Sequence, residues 1–140
     1  MISYANRALL KLDGVAPLWI DDTVYAPHYS DVGFLSVTPG LSARQLVALV
    51  GEPLSMEWRF ANRPVSSPVE LVRGPGGFSV IGSGCCTEMT AEALQNRFGP
   101  PDSEFWRYSE RGPTGGFYRI RGVTVSGGVV RARISGYDYD

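Results

Sequence analysis

Lysine and histidine are nearly absent from this chain of 140 residues: Lys11 and His28 stand alone. A single histidine leaves no cluster able to hold a metal through imidazole nitrogens. The two cysteines, Cys85 and Cys86, are adjacent. They lack the Cys-x-x-Cys spacing of a zinc site, and Cα atoms ~3.8 Å apart lie below the usual disulfide range, so a disulfide scaffold is not expected. No apolar run approaches the ~18 residues of a membrane-spanning helix. Met1-Ile-Ser-Tyr-Ala-Asn-Arg-Ala-Leu-Leu-Lys-Leu-Asp has neither an apolar core nor a lipobox cysteine, which points to a cytoplasmic protein. A net charge of −1 with one lysine argues against nucleic acid, whose phosphates call for an excess of cations.

What the chain does have is an internal repeat. Residues 41 to 60, LSARQLVALVGEPLSMEWRF, align without a gap on residues 89 to 108, MTAEALQNRFGPPDSEFWRY, at an offset of 48. Seven of the 20 positions are identical, where composition predicts about one or two. The shared residues include Leu46/Leu94, Gly51/Gly99, Pro53/Pro101, Trp58/Trp106 and Arg59/Arg107. Such self-similarity marks repeated supersecondary units.

Each copy predicts a short helix, a break and a strand. Ser42 and Thr90 stand at N-cap positions, and Gln45 completes a capping box. Leu41 with Leu46, and Met89 with Leu94, have the spacing of a hydrophobic staple. Gly51 and Gly99 suit a left-handed C-terminal cap, and Pro53 and Pro101 stop the helix from resuming. Trp58 and Phe60, like Trp106 and Tyr108, alternate with Arg59 and Arg107 at the period of two that marks a strand. The two tryptophans read as core plugs. Further strand runs lie at 67 to 72, 77 to 81, 116 to 121, 122 to 126 and 129 to 134, with glycine-rich turns between them. The fold class is α+β: two tandem helix-plus-antiparallel-strand repeats sharing one curved sheet, with the helices on one face. We read residues 1–140 as a single domain, with an N-terminal extension (1–33), a first repeat (34–81) and a second (82–140). Trp19 to Tyr25 suggests a hairpin that adds strands or covers a sheet edge.

This string of a capped short helix, Gly-x-Pro, Trp-x-aromatic and strands around a Gly-Gly turn resembles the SmpA/OmlA outer-membrane lipoproteins. It is carried by Ser42, Leu46, Gly51, Pro53, Trp58 and Phe60, and again by Thr90, Leu94, Gly99, Pro101, Trp106 and Tyr108. The tandem arrangement, over roughly residues 34 to 136, resembles the β-lactamase-inhibitor-protein family. That second resemblance implies partner binding on the sheet face turned away from the helices. The chain departs from both: its two cysteines are adjacent rather than spread over the two units, and no lipobox cysteine is written near Met1.

Between residues 105 and 135 six arginines face one acid, Glu110. Strict alternation places Tyr118, Ile120, Val130, Ala132 and Ile134 on one side, under the helices, and Arg119, Arg121, Arg131 and Arg133 on the other. With Arg107, Phe105 and Phe117 these arginines form the candidate partner-binding surface, suited to an acidic protein surface. A solvated face ion-paired to Glu104, Glu110, Asp138 or Asp140 is the plainer reading. The function expected is a non-enzymatic protein-binding module of inhibitor or immunity type, needing no cofactor, with the loops 62–67 and 111–116 adding contacts. The alternatives are an envelope assembly or scaffold protein, and a thiol enzyme using Cys85 or Cys86 with His28 as base.

Overall fold

The computed structural model describes residues 20–61, 68–82 and 84–139. The loop expected at 62–67, most of the 1–33 extension, and Asp140 lie outside them. The chain is mixed α+β with antiparallel sheets, and its elements run β1 (Thr23–Tyr25), α1 (Asp31–Leu35), α2 (Ala43–Val50), β2 (Ser55–Arg59), β3 (Val69–Gly74), β4 (Gly77–Ile81), α3 (Ala91–Phe98), β5 (Ser103–Arg107), β6 (Ser109–Arg111), β7 (Tyr118–Ser126) and β8 (Val129–Asp138).

Hydroxyl caps set the starts of α2 and α3. Ser42 Oγ accepts from Gln45 N at 3.1 Å while Gln45 Oε1 accepts from Ser42 N at 2.9 Å. Thr90 Oγ1 accepts from Ala93 N at 3.1 Å. Each cap satisfies an N–H that the first helical turn leaves without a partner. The helices end at Gly51 (φ 83°, ψ −170°) and Gly99 (φ 81°, ψ −178°). The positive φ agrees with the sequence reading, but ψ near 180° is not the left-handed helical cap. It belongs to the mirror-extended region that glycine alone enters readily.

Six strands form one sheet in the order β4-β3-β2-β5-β7-β8, and β1 pairs with β6 in a separate ribbon. Register sorts every side chain, because residues paired across antiparallel strands share a face. One row reads Val80, Leu71, Met56, Trp106, Val123, Arg133. Its first five members belong to one buried cluster that also holds Phe34 of α1, Leu46 and Val50 of α2 and Leu94 of α3. This is the inner face. Trp58 and Trp106 are both in the cluster, 3% and 8% exposed.

The outer face carries the alternate rows: Ile81, Glu70, Glu57, Phe105, Thr124, Ala132, and then Ser79, Val72, Ser55, Arg107, Gly122, Ile134. Tyr118 and Ile120 follow Gly122 on the same side of β7.

Three further features depart from the sequence reading. The runs 116 to 121 and 122 to 126 form one uninterrupted strand through Gly122. The pairing of β7 with β8 slips between Thr124 and Val125, so that Val125 faces Val130 while Thr124 faces Ala132, leaving Arg131 as the extra residue of a bulge. Finally, Cys85 and Cys86 are joined by a disulfide across their Cα separation of 3.8 Å. The usual separation describes bridges between distant residues, whereas neighbours close a small ring of their own.

Candidate functional site

The continuity of β7 and the bulge in β8 together reverse the expected faces. Arg119 and Arg121 have the same parity as buried Val123 and Val125, and Arg133 pairs with Val123, so all three stand on the inner face. Val130 is buried there too, whereas Ala132 and Ile134, one bulge residue further on, point outward. The apolar side of this corner is therefore the uncovered one.

The inner arginines are engaged by the chain's own segment 21 to 37. Arg119 Nε lies 2.9 Å from Asp21 Oδ2. Arg121 and Arg133 set their guanidinium groups 5.9 and 5.7 Å from the centroid of the Phe34 ring. Arg133 Nη1 also donates to Leu35 O at 2.7 Å, with Phe34 O and Val37 O at 3.4 and 3.5 Å. Leu35 O, at the end of α1, has no i+4 amide to accept from, because Pro39 stands there, whereas Phe34 O also accepts from Val37 N at 3.1 Å. Tyr25 and Tyr29 stack at 4.6 Å in the same region, and burial raises the pKa of both phenols, in Tyr29 with help from its hydrogen bond to Asp31. Arg131 Nη2 donates to Ser126 O at 3.1 Å beside the β7–β8 turn. Phe117 sits with Tyr137 and Tyr139 in an aromatic group at the far end of these strands. Arg119 pairs with Tyr137, and Phe117 shares the parity of Arg119, which puts this group on the inner side.

Of the seven residues expected to form the site, Arg107 and Phe105 do meet on the outer face. Arg107 reaches Glu57 at 3.0 Å and Glu70 at 3.3 Å, and its guanidinium lies 5.4 Å from the Phe105 ring centroid. The Phe105 ring covers Gly122, where any Cβ would collide with it. A second unit of the same kind joins Arg111 to Asp138 at 3.0 Å, with Arg111 5.0 Å from the Tyr118 ring centroid. Beside these stand Ile120 and Ile134, the latter 39% exposed. Large apolar and aromatic groups flanked by neutralised arginines are the composition of a binding hot spot.

Tyr118, Ile120, Ala132 and Ile134 do share one face, but it is the face turned away from the helices rather than toward them. The sequence signal for this is the unbroken parity of Arg119, Arg121, Val123 and Val125. Splitting the run at Gly122 restarted the phase and hid it. Glu57, Glu70 and Ser55 were missed because their neighbours come from other strands.

The neighbouring inner row carries an acid, Glu104, which pairs with Trp58 and Val125. Burial raises its pKa, opposed by the indole N–H of Trp106, which donates to Oε1 at 2.9 Å, and by that of Trp58. The Trp58 Nε1–H is buried and makes no full hydrogen bond among the described residues. Glu104 stands where the first repeat has Met56.

No group of three or more His, Cys, Asp or Glu side chains suited to a metal occurs among the described residues, and no helix there is long and apolar enough to cross a membrane. Neither cysteine is a free thiol in this structure. His28 packs its Cβ against Gly51. Comparison with known protein families, with curated proteins and with solved structures finds no match.

Proposed function

We propose that the chain is a non-enzymatic protein-binding module of inhibitor or immunity type, and that it binds its partner on the outer face of the six-stranded sheet. The observation that carries this reading is the surface built around Phe105. An aromatic ring covers a glycine, an arginine held by two glutamates lies over that ring, and Ile120, Ile134 and Tyr118 extend the surface across β7 and β8. Arginine and tyrosine anchors inside an apolar surround favour a protein partner over a small polar ligand.

The tandem architecture supports the same reading. Strands β2 and β5 pair so that Ser55 meets Arg107 and Arg59 meets Ser103, with Glu57 opposite Phe105 at the centre. Each of these pairs maps onto another, or onto itself, under the 48-residue offset of the repeat. We read this as a local two-fold relation centred between Glu57 and Phe105, such as two copies of one unit joined at their first strands would have. The β-lactamase-inhibitor-like arrangement is our reading of that symmetry, and by that resemblance the face away from the helices is the one that binds.

The test is a photo-crosslinking side chain placed at Ile134, compared with the same group at Glu92 on α3, in lysate of the source cell. Capture of one protein from position 134 alone, abolished by Phe105→Ala, supports the reading once the purified partner's activity falls on addition of the wild-type chain. Equal capture from both positions contradicts it.

A further inference from the structure

A hollow of about 470 Å³ opens at one end of the outer face, lined by Pro27, Leu54, Ser55, Val72, Pro75 and Glu110, among others. Ser55 and Val72 are neighbours in the same outer-face row as Arg107, so the hollow is continuous with the surface around Phe105. Its other walls come from the β3–β4 turn at Pro75 and from Pro27 and Glu110 beside the β1–β6 ribbon.

Three observations define what fits there. Leu54, Val72, Pro27 and Pro75 make an apolar floor and sides, in a volume ample for a leucine or phenylalanine side chain. Ser55, only 8% exposed, brings a hydroxyl to these apolar walls. A hydroxyl both donates and accepts, so it can bond a main-chain carbonyl or amide of a bound segment. Glu110 lines the same hollow and is exposed, with no ion pair to it among the described residues.

Charge selects the occupant. Four acids line or border the hollow and the adjoining row, Glu52, Glu57, Glu70 and Glu110, against two bases, Arg73 and Arg107. Arg73 is already held by Glu52 at 3.1 Å, and Arg107 is shared between Glu57 and Glu70. The local excess of negative charge complements a basic segment and repels an acidic one.

We infer that the hollow receives a loop of the partner protein in which an apolar side chain stands next to a lysine or arginine. The apolar group fills the space over Leu54 and Val72, the neighbouring main chain bonds to Ser55, and the cation reaches Glu110. The inference rests on the protein-binding reading of the outer face. It replaces the acidic partner suggested by the arginine-rich stretch with a basic one, since Arg119, Arg121 and Arg133 are on the other side of the sheet.

The probe is a displayed library of random linear peptides, selected on the wild-type chain and on the folded variants Glu110→Lys, Ile134→Glu and, as a remote charge control, Glu92→Lys. The expected result is enrichment of net-positive peptides that pair Lys or Arg with Leu, Phe or Met. Glu110→Lys should weaken the selected peptides by roughly three- to tenfold, as loss of an exposed charge pair predicts, while Glu92→Lys leaves them unchanged. Enrichment of acidic or uncharged sequences, or no enrichment, overturns the inference. If binding falls with Ile134→Glu but not with Glu110→Lys, the hollow is not the site and the outer-face reading survives. Indifference to both variants sinks the two together.

Discussion

Replacing Arg133 with methionine tests whether the arginines of this corner hold the fold together. Methionine keeps an unbranched apolar stem beside Phe34 and removes only the guanidinium. The group lost donates to Leu35 O at 2.7 Å, approaches two further carbonyls at 3.4 and 3.5 Å, and lies 5.7 Å from the Phe34 ring centroid. A hydrogen bond from a charged donor contributes ~1.5 to 3 kcal/mol, and an exposed cation–π contact ~0.5 to 1 kcal/mol. Arg133 is exposed, which favours the lower ends, and water can solvate part of what is left behind. The expected loss is about 2 kcal/mol, or a Tm lower by roughly 5 to 10 °C for a chain of this size. Urea titration should show a lower midpoint with an unchanged slope, and hydrogen exchange should quicken in α1 before the sheet. Arg107→Met on the outer face breaks two partly exposed ion pairs, to Glu57 and Glu70, and should cost about 1 kcal/mol. If Arg133→Met falls within about 0.5 kcal/mol of wild type, or if Arg107→Met is the more damaging, the placement of the arginines on the inner face is wrong.

Glu104→Gln keeps an acceptor for the Trp106 indole and removes a carboxyl whose folded pKa is raised from 4.5. Because the native state holds that proton more tightly, wild-type stability should decline as the pH rises from 4.5 through the folded value. The glutamine variant should lack that decline and be the more stable at neutral pH, which paired urea titrations at acid and neutral pH will show; parallel curves would refute it. Ser42→Ala removes one half of the capping box and should cost ~1 kcal/mol by thermal melting, with no effect if α2 is held by packing alone. Gly122→Ala should lift the Phe105 ring from the sheet at a cost of about 1 kcal/mol, seen as a shifted Phe105 ring resonance in an otherwise native spectrum. An unmoved Phe105 would mean that the ring does not lie on the glycine.

Local signals in the sequence carried through to the structure, and long-range ones did not. Ser42, Gln45 and Thr90 act within one turn, so the starts of α2 and α3 follow from neighbours in the chain. The buried tryptophans followed in the same way, from an alternation confined to a few residues. Ribbon β1–β6 was missed because each strand has three residues, too few to show a period of two. The arginine side of β7 and β8 was misassigned for two physical reasons. Gly122 looked like a break but accommodates the Phe105 ring from the neighbouring strand, and Arg131 is a bulge residue that shifts the phase of everything after it. Neither is written in local composition, since each depends on a partner strand. Glu104 is an inner-face residue rather than a surface ion-pair partner for the same reason: Trp58, which stands opposite it, comes from the neighbouring strand. The hollow, assembled from four separated segments, left no sequence signal at all.

The face assignment underlies both the proposed function and the basic-loop inference, and through-space proton contacts measured by NMR test it most directly. The account predicts contacts from the Phe34 ring to the side chains of Arg121 and Arg133, and from the Phe105 ring to the α protons of Gly122. Contacts from Arg121 and Arg133 to the Phe105 ring, with none to Phe34, would put the arginines back on the open face and contradict it.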